Sequence, residues 1–224
     1  MLLRHLPNSL TAANLLCGCL GIVAIVQNIP VPVAYFVWAA CVFDFFDGFA
    51  ARLLKVSSPI GKELDSLADM VSFGVLPALM LFQLIAGTGA HDLLPYTALM
   101  VAVFSALRLA KFNVDERQSD SFIGLPTPAN ALFITALPFL PEGVSVLVSH
   151  GWTLATIAVI FSLFLVAPLP LFALKFKHLG WQGNQVRYIF VLLSGALIVV
   201  WGAAAPVPMI IIYLLLSLIS RAFA

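Results

Sequence analysis

Four aspartates in an apolar chain have the spacing of a metal site: Asp44 and Asp47 stand three apart, Asp65 and Asp69 four apart, and Gly48, Ala51, Arg52 and Gly61 lie among them. At about 100° per residue, positions 44, 47, 48, 51 and 52 fall on one narrow helical stripe. Positions 61, 65 and 69 drift only about 80° in all, and Glu63 points away from them. Two helices thus turn carboxylates toward a shared cleft. A carboxylate pair at about 6 Å repels by roughly 3 kcal/mol at an effective dielectric near 20, and isolated carboxylates in a membrane are themselves costly. Pairing with Arg52, Lys55 and Lys62 at helix ends accounts for one or two such charges, but not easily for four. A divalent cation removes the repulsion, and an all-oxygen donor set suits Mg²⁺ or Mn²⁺ better than zinc, which wants His or Cys. Gly48, Ala51 and Gly61 either pack helices closely or clear space beside the metal. With Arg52 adjoining, that space suits a phosphate-bearing ligand such as a nucleotide diphosphate.

The elements that must position these residues are membrane helices. Apolar residues make up 62% of the chain and charged residues 9%, with mean hydropathy +1.08, far from a soluble domain's roughly 25% charged content. The apolar runs are about 17 to 25 residues long, enough for a helix to cross roughly 30 Å of hydrocarbon. We expect about eight spans: Leu10 to Gln27, Val31 to Leu54, Gly61 to Ala86, Leu93 to Phe112, Pro126 to Val148, Trp152 to Leu174, Val186 to Gly202 and Ala205 to Ser220. Pro141, Glu142 and Gly143 interrupt the fifth run, and a re-entrant pair is the alternative there. The first run follows Arg4 but lacks a small-x-small cleavage site, so we expect it to remain as a helix.

With eight spans and the N-terminus inside, all 11 basic residues fall at cytoplasmic ends: Arg4; Arg52, Lys55 and Lys62; Arg108, Lys111 and Arg117; Lys175, Lys177 and Arg187; Arg221. The outer loops carry Asp92 and Glu142 instead. A net charge of +1, with no separate soluble domain, offers nothing for nucleic acid. Cys17, Cys19 and Cys41 lack paired metal-site spacing and read as packing residues. His5, His91, His150 and His178 fall at membrane edges without partner spacing. No tandem repeat or low-complexity linker divides the chain.

The run Asp44-x-x-Asp47-Gly48-x-x-Ala51-Arg52, eight residues, then Gly61-x-x-x-Asp65-x-x-x-Asp69 resembles the signature of the CDP-alcohol phosphatidyltransferases at every fixed position. Pro7-Asn8 with Thr11 and Asn14, Ser66 to Gly74, Arg108-Leu109-Ala110-Lys111-Phe112-Asn113 and Phe122 to Ala129 resemble the phosphatidylserine synthase branch of that family. One departure is Lys111, where the branch more often has Arg; the charge is kept and the bidentate fork lost.

The resemblance implies an all-α polytopic membrane bundle: a six-helix core over 1–174, then a loop and two additional helices over 175–224, usually as a homodimer. It implies an enzyme that moves a phosphatidyl group from CDP-diacylglycerol to the hydroxyl of L-serine and releases CMP. Residue by residue, it makes Asp44, Asp47, Asp65 and Asp69 the metal cluster, with Asp65 and Asp69 catalytic and Asp69 the general base. Asp47, Gly48, Ala51, Arg52 and Gly61 then frame the CDP, with Thr11 and Asn14 gripping the nucleotide or, alternatively, capping and packing. Arg108 and Lys111 would bind a lipid phosphate or the serine carboxylate, positive-inside anchoring being the plainer role. We expect a bacterial-type inner membrane location, with both termini and the active site cytoplasmic. Glycerol 3-phosphate and inositol remain alternative acceptors within the family. A cation or proton transporter would also use intramembrane aspartates, but near mid-membrane on discontinuous helices.

Overall fold

Proline and serine set where the first helices begin. In the computed structural model, which describes residues 5–56, 58–114, 121–172, 174 and 180–222, α1 spans Leu6–Val26 with Pro7 in its first turn, where a missing N–H costs nothing. Arg4, Arg117, Lys175, Lys177 and His178 lie outside the described residues, as does the side chain of Arg221. Helix α2 spans Val33–Leu54 and stops at Lys55, whose left-handed φ of 51° turns the chain back. Ser58 then caps α3 (Pro59–Asp69), its Oγ accepting from the Gly61 N–H at 3.0 Å. This short reversal brings the two halves of the acidic pattern to one place, with α1 packed on both helices.

Helix α3 does not end at Asp69. It passes through a π-helical turn, Met70–Val75, into α4 (Leu76–Gly87), so that 59–87 is one continuous 29-residue rod. Small residues seat the π turn. A Cβ at Gly18 of α1 would stand 2.5 Å from Ser72 Oγ and 2.9 Å from Ser72 Cα, so only glycine permits this approach. Ser72 Oγ donates to the Asn14 carbonyl at 2.9 Å. On the other side Gly74 admits the Ser105 Cβ, 3.1 Å from where its own would be. Phe73 and Leu76, both fully buried, close the seam with Val37 and Ala40 of α2.

A 3₁₀ turn at Leu94–Ala98 leads into α5 (Leu99–Val114). The strand β1 (Ser121–Ile123) precedes α6 (Thr127–Ala136), which runs into a 3₁₀ turn at Leu137–Phe139. The short α7 (Glu142–Ser145) is followed by α8 (Gly151–Val166), the strand β2 (Pro170–Phe172), α9 (Gln185–Trp201) and α10 (Pro206–Ala222). The second core lies among α4, α5, α6, α8 and α10, where the Phe133 and Phe161 rings stack at 3.8 Å.

The protein is an all-α polytopic membrane bundle, with helical rods in the expected order. Among the described residues five are long and apolar enough to span: Leu6–Val26, Val33–Leu54, Pro59–Gly87, Leu94–Val114 and Gln185–Ala204; Gly151–Val166 and Pro206–Ile219 are shorter apolar helices. Two expected bounds need correction. The fifth span, expected to reach Val148, runs as one helix only to Phe139, roughly 20 Å at 1.5 Å per residue, because Leu140 is held extended before Pro141; two short turns, Glu142–Ser145 and Val146–Val148, follow. The sixth, expected to reach Leu174, stops at Val166, since Ala167 precedes Pro168 and is held extended. Beyond it, β2 pairs antiparallel with β1, Ile123 opposite Pro170 and Ser121 opposite Phe172.

Gly124 joins this ribbon to α6 with φ of 80°, and a Cβ there would lie 2.5 Å from the Leu165 carbonyl oxygen. Gly124→Ala is expected to destabilise the protein by more than about 1 kcal/mol, read as a lower melting temperature of the detergent-solubilised protein.

Candidate active site

Helical phase on α2 and α3 does what the spacing requires. One carboxylate oxygen each from Asp44, Asp47 and Asp65 lies within 4.8 Å of the others. At that separation each charged pair repels by about 3 kcal/mol at an effective dielectric near 20. The Oδ1 of Asp65 is buried and has no hydrogen-bond partner, an acceptor in want of a cation. The three oxygens could hold a metal ion. Asp69 stands one turn beyond Asp65, buried, outside that trio.

Helix α1 holds the carboxylates from behind. Thr11 Oγ1 donates to Asp47 Oδ2 at 2.7 Å, and Asn14 Nδ2 donates to Asp69 Oδ1 at 3.2 Å. Both donors are buried. Thr11 also stands on a cavity wall with Asp47, whereas Asn14 is not part of that wall and orients Asp69.

Two cavities meet at the carboxylates. The first, about 270 Å³, lies between α1, α2 and α3, bordered by Asn8, Thr11, Asp47, Gly48, Ala51 and Gly61. Arg52 is exposed and is not part of its wall, but both its Nη atoms lie 3.9 Å from the place a Gly48 Cβ would take. The second, about 290 Å³, is bordered by Asp44, Asp69, Arg108, Pro126, Thr127 and Pro128. Asp65 and Lys62 line both.

Arg108 is 7% exposed, a costly state for a guanidinium without an anion. Its Nη1 donates to Thr127 Oγ1 at 3.4 Å, its Cζ lies 5.9 Å from the Phe112 ring centre, and its Nε has no partner. Lys111, coupled with Arg108 in the sequence reading, is exposed and lies off the cavity wall. Lys62 is not paired with the aspartates: its Nζ donates to the Asn113 carbonyl at 2.8 Å, and Asn113 Nδ2 donates to Ser66 Oγ at 2.9 Å, tying α3 to α5 at the rim. Asn130, one turn beyond Thr127, is fully buried with neither amide atom partnered. The sequence reading passed over it; an Asn inside an apolar run was the available signal. The carboxylates occupy the second half of α2 and the eleven-residue α3, which continues unbroken to Gly87, unlike the broken helices expected of a transporter.

The family model for CDP-alcohol phosphatidyltransferases matches residues 4–167. The chain belongs to the CDP-alcohol phosphatidyltransferase family. Family membership makes it a membrane transferase, and members generally use divalent cations. Among curated relatives, the CDP-diacylglycerol–serine O-phosphatidyltransferase of Bacillus subtilis is 33% identical over 141 residues, covering 61% of this chain and 77% of that protein. The enzyme of the same name from Helicobacter pylori strain J99 is 38% identical over 130 residues, 57% of this chain and 54% of that protein. That from Mycobacterium tuberculosis H37Rv is 32% identical over 180 residues, 75% of this chain and 61% of that protein. The family match ends one residue after α8, so β2, α9 and α10 lie outside it.

Proposed function

We propose that the protein transfers the phosphatidyl group of CDP-diacylglycerol to the hydroxyl of L-serine, giving phosphatidylserine and CMP. The observation that carries this reading is the carboxylate cluster at the junction of two cavities, one walled by small residues and the other by a buried arginine. The names of the relatives favour serine among acceptors.

In this reading the cytidine and its phosphates occupy the α1–α2–α3 cavity, where Gly48, Ala51 and Gly61 leave room and Arg52 closes over the phosphates. The acyl chains stay in lipid. Asp44, Asp47 and Asp65, with Asp69 alongside, would hold Mg²⁺ or Mn²⁺, which offsets the charge on the diphosphate and on departing CMP. Serine enters the second cavity from the cytoplasm, its carboxylate answering Arg108, whose unpartnered Nε is otherwise unexplained. Asp69, oriented by Asn14, takes the proton of the serine hydroxyl. The new bond joins the serine oxygen to the lipid-side phosphorus as the bond from that phosphorus to the CMP oxygen breaks. Lys111, outside the cavity, serves the anionic membrane surface.

The active site and both termini face the cytoplasm, in a bacterial-type inner membrane and as a homodimer. Residues 1–174 form the catalytic core and 175–224 an addition to it. An acceptor panel tests the reading: purified protein with CDP-diacylglycerol is offered serine, glycerol 3-phosphate or inositol. CMP release with serine alone is expected. Release with another acceptor and not serine would assign the chain to a different branch.

A further inference from the structure

The two helices beyond the family match approach the acceptor cavity at Tyr213. Tyr213 of α10 is 7% exposed, and its hydroxyl donates to the Phe172 carbonyl of β2 at 2.9 Å. Its ring packs on Phe172 at 4.9 Å and on Phe190 of α9 at 5.6 Å. A ribbon of two three-residue strands is marginal by itself, and Pro170 has no N–H to give to the ladder. It needs support from outside. Directly after β1, the Gly124 N–H donates to the Leu169 carbonyl at 2.9 Å and the Leu125 N–H to the Phe164 carbonyl at 2.8 Å. Pro126, Thr127 and Pro128, which follow at once, are walls of the second cavity, and Thr127 Oγ1 is the recorded partner of Arg108.

We propose that Tyr213 is a positioning residue for the acceptor: its hydroxyl fixes β2, β2 fixes β1, and the turn they hold sets Thr127 against Arg108. The donor cavity, built from α1, α2 and α3, has no part in this chain of contacts. The inference rests on the assignment of the second cavity to the acceptor, and gives α9 and α10 a task in the reaction. Tyr213 lines neither cavity and acts through the turn.

The test is Tyr213→Phe in the full-length protein, which keeps the ring and removes the hydroxyl. The KM for serine should rise by about five- to tenfold, the effect of one lost hydrogen bond, while the KM for CDP-diacylglycerol stays within about twofold. Hydrogen exchange of the amides at 121–125 should accelerate by a similar factor, with α2 and α3 unchanged. Unchanged serine KM and unchanged exchange would overturn the proposal. So would a matched loss for both substrates together with a lower melting temperature, which marks a residue that merely stabilises the bundle. If the wild type releases no CMP with serine, the functional reading fails instead, and the exchange measurement still decides the role of Tyr213.

Discussion

Replacing Asp69 by Asn is expected to lower kcat by about a thousandfold or more, leaving the protein folded and still able to bind CDP-diacylglycerol. The substitution is nearly isosteric, so packing among α1, α3 and the π turn is kept. What is lost is a base. Asp69 lies beside Asp44 and Asp65 on the wall of the second cavity, yet outside the close trio of oxygens, and Asn14 holds it from behind. A carboxylate so placed reaches a hydroxyl in that cavity without giving up the donor cavity. Single-turnover CMP release and equilibrium binding of the donor, measured on the same preparation, separate chemistry from binding. Wild-type turnover in the variant would sink the base assignment.

The second large effect falls on the ion. Asp65→Asn should weaken Mn²⁺ binding by more than about a hundredfold, read by titration of the purified protein with electron paramagnetic resonance, because Asp65 alone among the three lines both cavities and carries an unpartnered oxygen. Thr11→Val, which removes the hydroxyl behind Asp47, should cost about ten- to a hundredfold. Equal Mn²⁺ affinity in Asp65→Asn and wild type would remove the trio from the account.

The sites on α2 and α3 were legible because helical phase is fixed once a helix is granted: spacing alone put 44, 47, 48, 51 and 52 on one stripe. Thr11 and Asn14 were legible as site residues too, but their contacts with the aspartates were not. Thr11 and Asn14 meet Asp47 and Asp69 only after α1 packs across α2 and α3, and nothing local in either segment encodes that register. The π turn at Met70–Val75 was hidden for a related reason, since Val71, Phe73 and Val75 continue the apolar pattern while Ser72 and Gly74 disclose themselves only against Gly18 and Ser105. Hydropathy ran past Pro141 and Pro168 and lengthened two spans, although backbone chemistry stops the helices at both places. The β1–β2 pairing joins segments nearly fifty residues apart through backbone groups, which side-chain pattern does not report. Arg108 and Lys111 looked equivalent by charge and spacing; burial divides them, placing one in a cavity and leaving the other at the surface.

In the proposed reaction a divalent ion at the aspartates couples CMP departure to serine attack. This coupling is tested most directly by following CMP and phosphatidylserine together in one reaction of purified protein, CDP-diacylglycerol and serine. The reaction is run as prepared, after chelation, and after return of Mg²⁺ or Mn²⁺. Equal amounts of the two products are expected, formed only with serine present, abolished by chelator and restored by the ion. Turnover that persists without a divalent ion, or CMP released with no phosphatidylserine, would contradict it.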